Sequence, residues 1–114
     1  MLNVYGIKNC DSVRKALKFL KAHEIAYEFI DFRETPVTQE IIDNWLEKCD
    51  INTLFNTRGM TYRTLKLKEK NLSDNEKRHW LAKENMLIKR PVITFEKNII
   101  IGYNESQYQN LLLK

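Results

Sequence analysis

Cysteine, proline and glycine are all scarce in this chain of 114 residues, which holds two, two and three of them. Two thiols 39 positions apart, Cys10 and Cys49, do not make the dense disulfide framework of a small secreted domain, so both are expected to be reduced. Glycines at 6, 59 and 102 alone build no glycine-rich phosphate or dinucleotide loop. Histidine is sparse too, and neither His23 nor His79 stands at zinc-like spacing from a cysteine, which argues against a metal site. No apolar run approaches the roughly 18 residues of a membrane span, and Met1 to Gly6 lacks the charged start and long apolar run of a signal peptide. The expectation is a cytoplasmic protein, off the membrane and without a bound cofactor.

What the chain does have is a 43% hydrophobic composition, enough for one compact core at this length. A single domain over 1–114 is expected. The formal charge of +4 invites a nucleic-acid reading, but carboxylates are interspersed, as in Lys68-Glu69-Lys70 and Glu76-Lys77-Arg78. That is how a solvated face reads, so direct nucleic-acid binding is disfavoured.

Leu2 to Tyr5 reads as a short buried strand, followed by Val13, Ala16, Leu17 and Leu20 at the spacing of an amphipathic helix. Ala26 to Phe32, rich in aromatic and β-branched residues, reads as a second strand, parallel to the first in a right-handed βαβ unit. After Pro36, Thr38 caps a helix with Ile41, Ile42, Trp45 and Leu46 on one face, ending near Cys49. Asn56 to Lys70 reads as loop with short turns. Ser73 and Glu76 have capping-box spacing and open a helix that runs to about Glu84. Pro91 opens Val92 to Phe95, which pairs with Ile99 to Ile101 across a three-residue loop. Asn104 caps the last helix, with Tyr108, Leu111 and Leu112 as its core face. Trp45 and Trp80 read as packing residues. The order βαβ, helical insert over about 36–88, then ββα predicts an α/β fold with a thioredoxin-like four-stranded mixed sheet.

The loop between the first strand and helix carries Cys10. A thiol at a helix N-terminus lies beside unsatisfied amides and the positive end of the helix dipole, and both favour the thiolate. Lys8, Arg14 and Lys15 act in the same sense, and Asp11 opposes them. Position alone is equally consistent with Cys10 packing as a small apolar residue. Cys49, at the end of a helix, reads as a partly buried structural thiol.

"YGIKNCDSVRKA", "NTRG", "IKRP" and "IGYNESQY", in this order over nearly the whole chain, resemble the arsenate reductase-like superfamily that also contains Spx, and most closely its YffB-like branch. The resemblance implies a thiol-dependent reductase: Cys10 as nucleophile, Arg58 and Arg90 as oxyanion binders, and glutathione or another external thiol, with glutaredoxin, as the regenerating co-substrate. Arginine suits that role because its planar fork donates bidentate hydrogen bonds and keeps its charge. Asn9, Arg14 and Pro91 complete the candidate substrate-binding set, and Pro91 is expected to hold a cis peptide facing the Cys10 loop. A monomer is expected.

Three departures from the arsenate reductase pattern point away from arsenate itself. The histidine-asparagine-proline lead-in to the cysteine is replaced by Gly6-Ile7-Lys8, the serine three positions after it is Val13, and Gly102-Tyr103 stands where a third arginine is expected. "GYNE" is closer to the Spx branch, which binds the RNA polymerase α subunit and switches through a Cys-x-x-Cys pair. Val13 takes the place of that second cysteine, so an internal switch in the loop is excluded. A transcription-associated interaction protein is the alternative reading.

Overall fold

The computed structural model describes residues 2–113, in the order β1 (Leu2–Gly6), α1 (Asp11–Ala22), β2 (Tyr27–Asp31), α2 (Gln39–Leu46), α3 (Ile51–Leu54), α4 (Met60–Thr64), α5 (Asp74–Lys83), β3 (Val92–Phe95), β4 (Asn98–Ile101) and α6 (Glu105–Leu112). Its contacts divide into two compact units: residues up to Asp31 with those from Arg90 onward, and Phe32–Lys89. No helix among the described residues is long and apolar enough to cross a membrane.

The first unit is a mixed four-stranded sheet in the order β2-β1-β3-β4. β1 and β2 run parallel, from Leu2 opposite Tyr27 to Gly6 opposite Asp31, and β1 and β3 run antiparallel with Tyr5 opposite Val92. This is the thioredoxin-like α/β arrangement of a βαβ half joined to a ββα half. Leu2, Val4, Ile93 and Ile100 of the sheet pack with Ala16, Phe19 and Leu20 of α1 and Tyr108 of α6 in one buried cluster. Burial of α1 follows the stripe expected from the sequence with one exchange: Phe19 is buried, and Leu17 is only half-buried against the core.

Two details of this half differ from expectation. Phe95 pairs with Asn98, so the β3–β4 loop has two residues rather than three, and Glu96 takes a φ of 52° to make the turn. Two-residue hairpin loops require a positive φ because only such turns match the twist of the strands, and no glycine advertised it here. In α6, Asn104 caps by accepting from the Gln107 amide at 2.9 Å and Tyr108 is buried, but Leu111 is left exposed.

The second unit is helical. α2 stops at Leu46 rather than near Cys49, because the Glu47 and Lys48 amides tighten onto the carbonyls of Asn44 and Trp45. Asp50 then caps α3 by accepting from the Asn52 amide at 2.8 Å. The stretch read as loop contains α4 and a 3-10 turn, Leu67–Lys70. The Ser73–Glu76 capping box is formed in both directions. Asn85 clamps the chain entering α2, accepting from the Val37 amide at 2.8 Å and donating to the carbonyls of Val37 and Leu81. Trp45 is buried, whereas Trp80 is half-buried with the Lys83 ammonium over its ring.

Candidate active site

Strand register assembles the site at the end of the sheet where the two parallel strands finish. Gly6, the last residue of β1, lies beside Asp31, the last of β2. Because Tyr5 faces Val92 across the antiparallel pair, Pro91 enters the sheet at this same edge. The crevice beyond the carboxyl ends of parallel strands is where open α/β sheets bind ligands. The chain leaves Gly6, runs through Ile7-Lys8-Asn9, and starts α1 with Cys10 as its N-cap in extended conformation, φ −149° and ψ 124°.

The Cys10 carbonyl accepts the first helical bond, from the Arg14 amide at 2.9 Å, and its side chain makes no capping hydrogen bond. A serine or aspartate here would turn back onto the helix amides. The cysteine instead leaves a half-buried, reduced thiol at the positive end of a twelve-residue helix. Arg14 pairs with Asp11 and reaches Asn9 Oδ1 at 3.5 Å. Arg14 and Asp11, set against each other around Cys10 by the sequence, are therefore one exposed ion pair.

The Arg90–Pro91 peptide is cis, as expected, and Pro91 is buried. The Pro91 carbonyl accepts from the Gly102 amide at 2.8 Å, and the Gly102 carbonyl accepts from the buried Tyr108 hydroxyl at 2.8 Å. Gly102 has a φ of 81°, the left-handed region in which glycine carries no steric penalty. "IGYNESQY" is thus a structural lock: Gly102 turns the chain, Asn104 caps α6, and Tyr108 ties that helix back to the loop beside Pro91. Arg90 is half-buried, with its Nε out of contact with solvent.

Arg58 belongs to the other unit, where its motif is a fixed turn. The Asn56 amide donates to the Leu87 carbonyl at 2.8 Å, and Asn56 Oδ1 accepts from the Arg58 amide at 3.0 Å. A Cβ at Gly59 would lie 2.8 Å from Asn56 Nδ2, so the "NTRG" glycine is fixed by close packing. The Arg58 side chain is exposed. Of the candidate residues, the structure brings Asn9 and Cys10 into one loop, with Arg14 of α1 reaching back to Asn9, and places Pro91 at the same sheet edge. Asp31, a buried carboxylate at the end of β2, was missed; a single acid ending a strand of aromatic and β-branched residues carries no pattern to mark it.

Cys49 lies between α2 and α3, half-buried, and burial together with the neighbouring Asp50 carboxylate pushes its thiol upward. His23 ends α1 with its ring against Phe19, 4.4 Å between centroids, and His79 is exposed on α5.

The ArsC family profile matches residues 5–111. The chain belongs to the ArsC family. Within that family it is 33% identical over 117 aligned positions to the regulatory protein MgsR of Bacillus subtilis, covering 99% of this chain and 91% of that one. Transcriptional regulators named Spx are also among its relatives. A solved structure described as a possible arsenate reductase from Streptococcus mutans is 38% identical, with a TM-score of 0.78 over 91% of this chain and 92% of that one. The YffB protein structure is 27% identical and superposes with a TM-score of 0.91 over 98% and 99%. The proteins similar to this chain therefore include both a possible arsenate reductase and regulators, and the fold is shared with the solved structures.

Proposed function

We propose that this ArsC-family chain is a thiol-dependent reductase with Cys10 as its one nucleophile. The observation that supports it best is the half-buried Cys10 thiol at the N-cap of α1, its side chain uncommitted to capping, on the sheet edge where Pro91 enters. The Cys10 thiolate attacks one sulfur of a mixed disulfide, forming a protein mixed disulfide and expelling the other sulfur as a thiolate. An external thiolate such as glutathione then attacks that adduct, leaving as a disulfide and returning Cys10. With an oxyanion substrate the thiolate displaces water, and two external thiols supply two electrons and leave as a disulfide. Val13 at the position of a resolving cysteine makes the outside thiol necessary.

In this reading Arg58 and Arg90 hold the oxyanion or a glutathione carboxylate, with Asn9 and Arg14 at the loop. Pro91 offers no amide donor and leaves the substrate's own groups unopposed there. Replacing Arg58 or Arg90 by Ala removes a charge-assisted hydrogen bond and is expected to lower kcat/KM about tenfold to a hundredfold. Arg→Lys restores part of it, since the charge remains and the fork is lost.

The regulatory relatives support a second reading, a transcription-associated protein that binds the RNA polymerase α subunit. One paired experiment separates them: reduction of glutathione mixed disulfides and of arsenate, against capture of purified α subunit. Turnover abolished by Cys10→Ser supports the reductase. Capture that survives Cys10→Ser, with no turnover by the unaltered chain, supports the interaction protein.

A further inference from the structure

The charge of this chain is concentrated in one place. Residues 57–70 carry five cations, Arg58, Arg63, Lys66, Lys68 and Lys70, against the single carboxylate of Glu69, a surplus of four equal to the formal charge of the whole chain, so the remainder is balanced. All five side chains are exposed. The ion pairs of Arg14 with Asp11 and of Arg78 with Asp43 involve none of them.

Apolar side chains share this surface. Met60 is 78% exposed and Leu65 36%, two of the four large hydrophobic residues left in water among the described residues. Between the charges runs a groove of about 300 Å³ lined by Thr57, Tyr62, Arg63, Lys66, Lys68 and Glu69. Its floor is fixed, because the Tyr62 ring packs edge-on against buried Phe55 at 5.9 Å. Lys66 holds a φ of 53°, in the left-handed region unfavourable to a long side chain. Such strain persists where the surroundings over-determine it and collects at binding surfaces.

We infer that α4 and the following turn form a docking surface for a partner protein that presents an acidic segment with apolar anchors. The cations supply orientation and encounter rate. Met60, flexible and polarisable, and Leu65 supply area that becomes buried on association. Nucleic acid would satisfy the cations and leave Met60 and Leu65 in water, so a protein partner accounts for more of the surface. Arg58 is also assigned to the proposed oxyanion site, so the docking surface is tested through side chains other than Arg58.

The test uses the full chain and a fluorescent peptide of glutamates carrying two leucines, with binding followed by anisotropy. Comparison probes are the same peptide with serines for the leucines and a single-stranded oligonucleotide of matched charge. The glutamate-leucine peptide is expected to bind, and more weakly as salt rises. Combining Arg63→Gln, Lys66→Gln and Lys68→Gln should weaken it about tenfold, the combined effect of three exposed charge contacts. Met60→Ser with Leu65→Ser should weaken it while leaving any oligonucleotide binding unchanged. Lys66→Gly, which relieves the backbone strain and so retains the fold, should also lose affinity. No binding of the peptide, equal binding of its serine version, or tighter binding of the oligonucleotide through the same side chains overturns the proposal.

Discussion

At the scale of single residues, one buried contact decides what the Cys10 loop can be. A Cβ on Gly6 would stand 2.7 Å from Val13 Cγ2, closer than real Cβ atoms come, and Val13 is fully buried. The position where a second loop cysteine would sit is therefore a core residue packed on the end of β1. Gly6→Ala should destabilise the protein by about 1 to 3 kcal/mol, measured by urea unfolding, through overpacking at this point. Tyr108 gives a pH-dependent test. Burial, and then the adjacent Tyr103, raise its phenol well above the ordinary value, so the folded state holds that proton more tightly than the unfolded chain. Its hydrogen bond is intact below the unfolded phenol's titration at about pH 10, and the stability it brings is lost as pH rises beyond that. Tyr108→Phe should cost about 1 kcal/mol at pH 7, and the gap between the two proteins should narrow above about pH 10.

At the scale of elements, what could be read in advance was set by length and by caps. β1, α1, β2, β3 and α5 announce themselves because each has enough residues for a period or a cap with a known spacing. α3 and α4, of four and five residues, are too short for a 3.6-residue period to repeat. The β3–β4 turn is one residue shorter than its sequence suggests because Glu96, rather than glycine, carries the positive φ. α2 ends before its apolar pattern does because its last turn tightens without a glycine or proline to mark it. The Ser73 cap is the most local of these signals. Ser73→Ala should lower stability by about 0.5 to 2 kcal/mol, read as a shift in the urea midpoint at unchanged slope. Glu76 retains its charge through the Ser73 amide and hydroxyl, which hold its carboxyl below the usual range.

At the scale of the whole molecule, the sequence order carried the fold, since β1 and β3, the two central strands, come from either side of the helical unit. We propose that the chain folds as one domain with that unit as its insert. The candidate site was legible in part. Cys10 follows from its place between a strand end and a helix start, whereas Pro91 and Arg90 follow only from the family resemblance of their motif. Arg58 could be named only through its motif, because no local pattern tells where an exposed arginine is used, and Asp31 had no motif at all.

The claim on which the functional reading rests is that Cys10 alone takes up an external thiol. Intact-mass measurement after exposure to glutathione disulfide at neutral pH, with peptide mapping, tests it most directly. The unaltered protein and Cys49→Ser should each gain one glutathionyl group, mapped to Cys10 and released by added glutathione, and Cys10→Ser should gain none, since burial and the Asp50 carboxylate push the Cys49 thiol upward and disfavour its thiolate. A glutathionyl group on Cys49, or an internal Cys10–Cys49 disulfide in place of the adduct, would contradict the account.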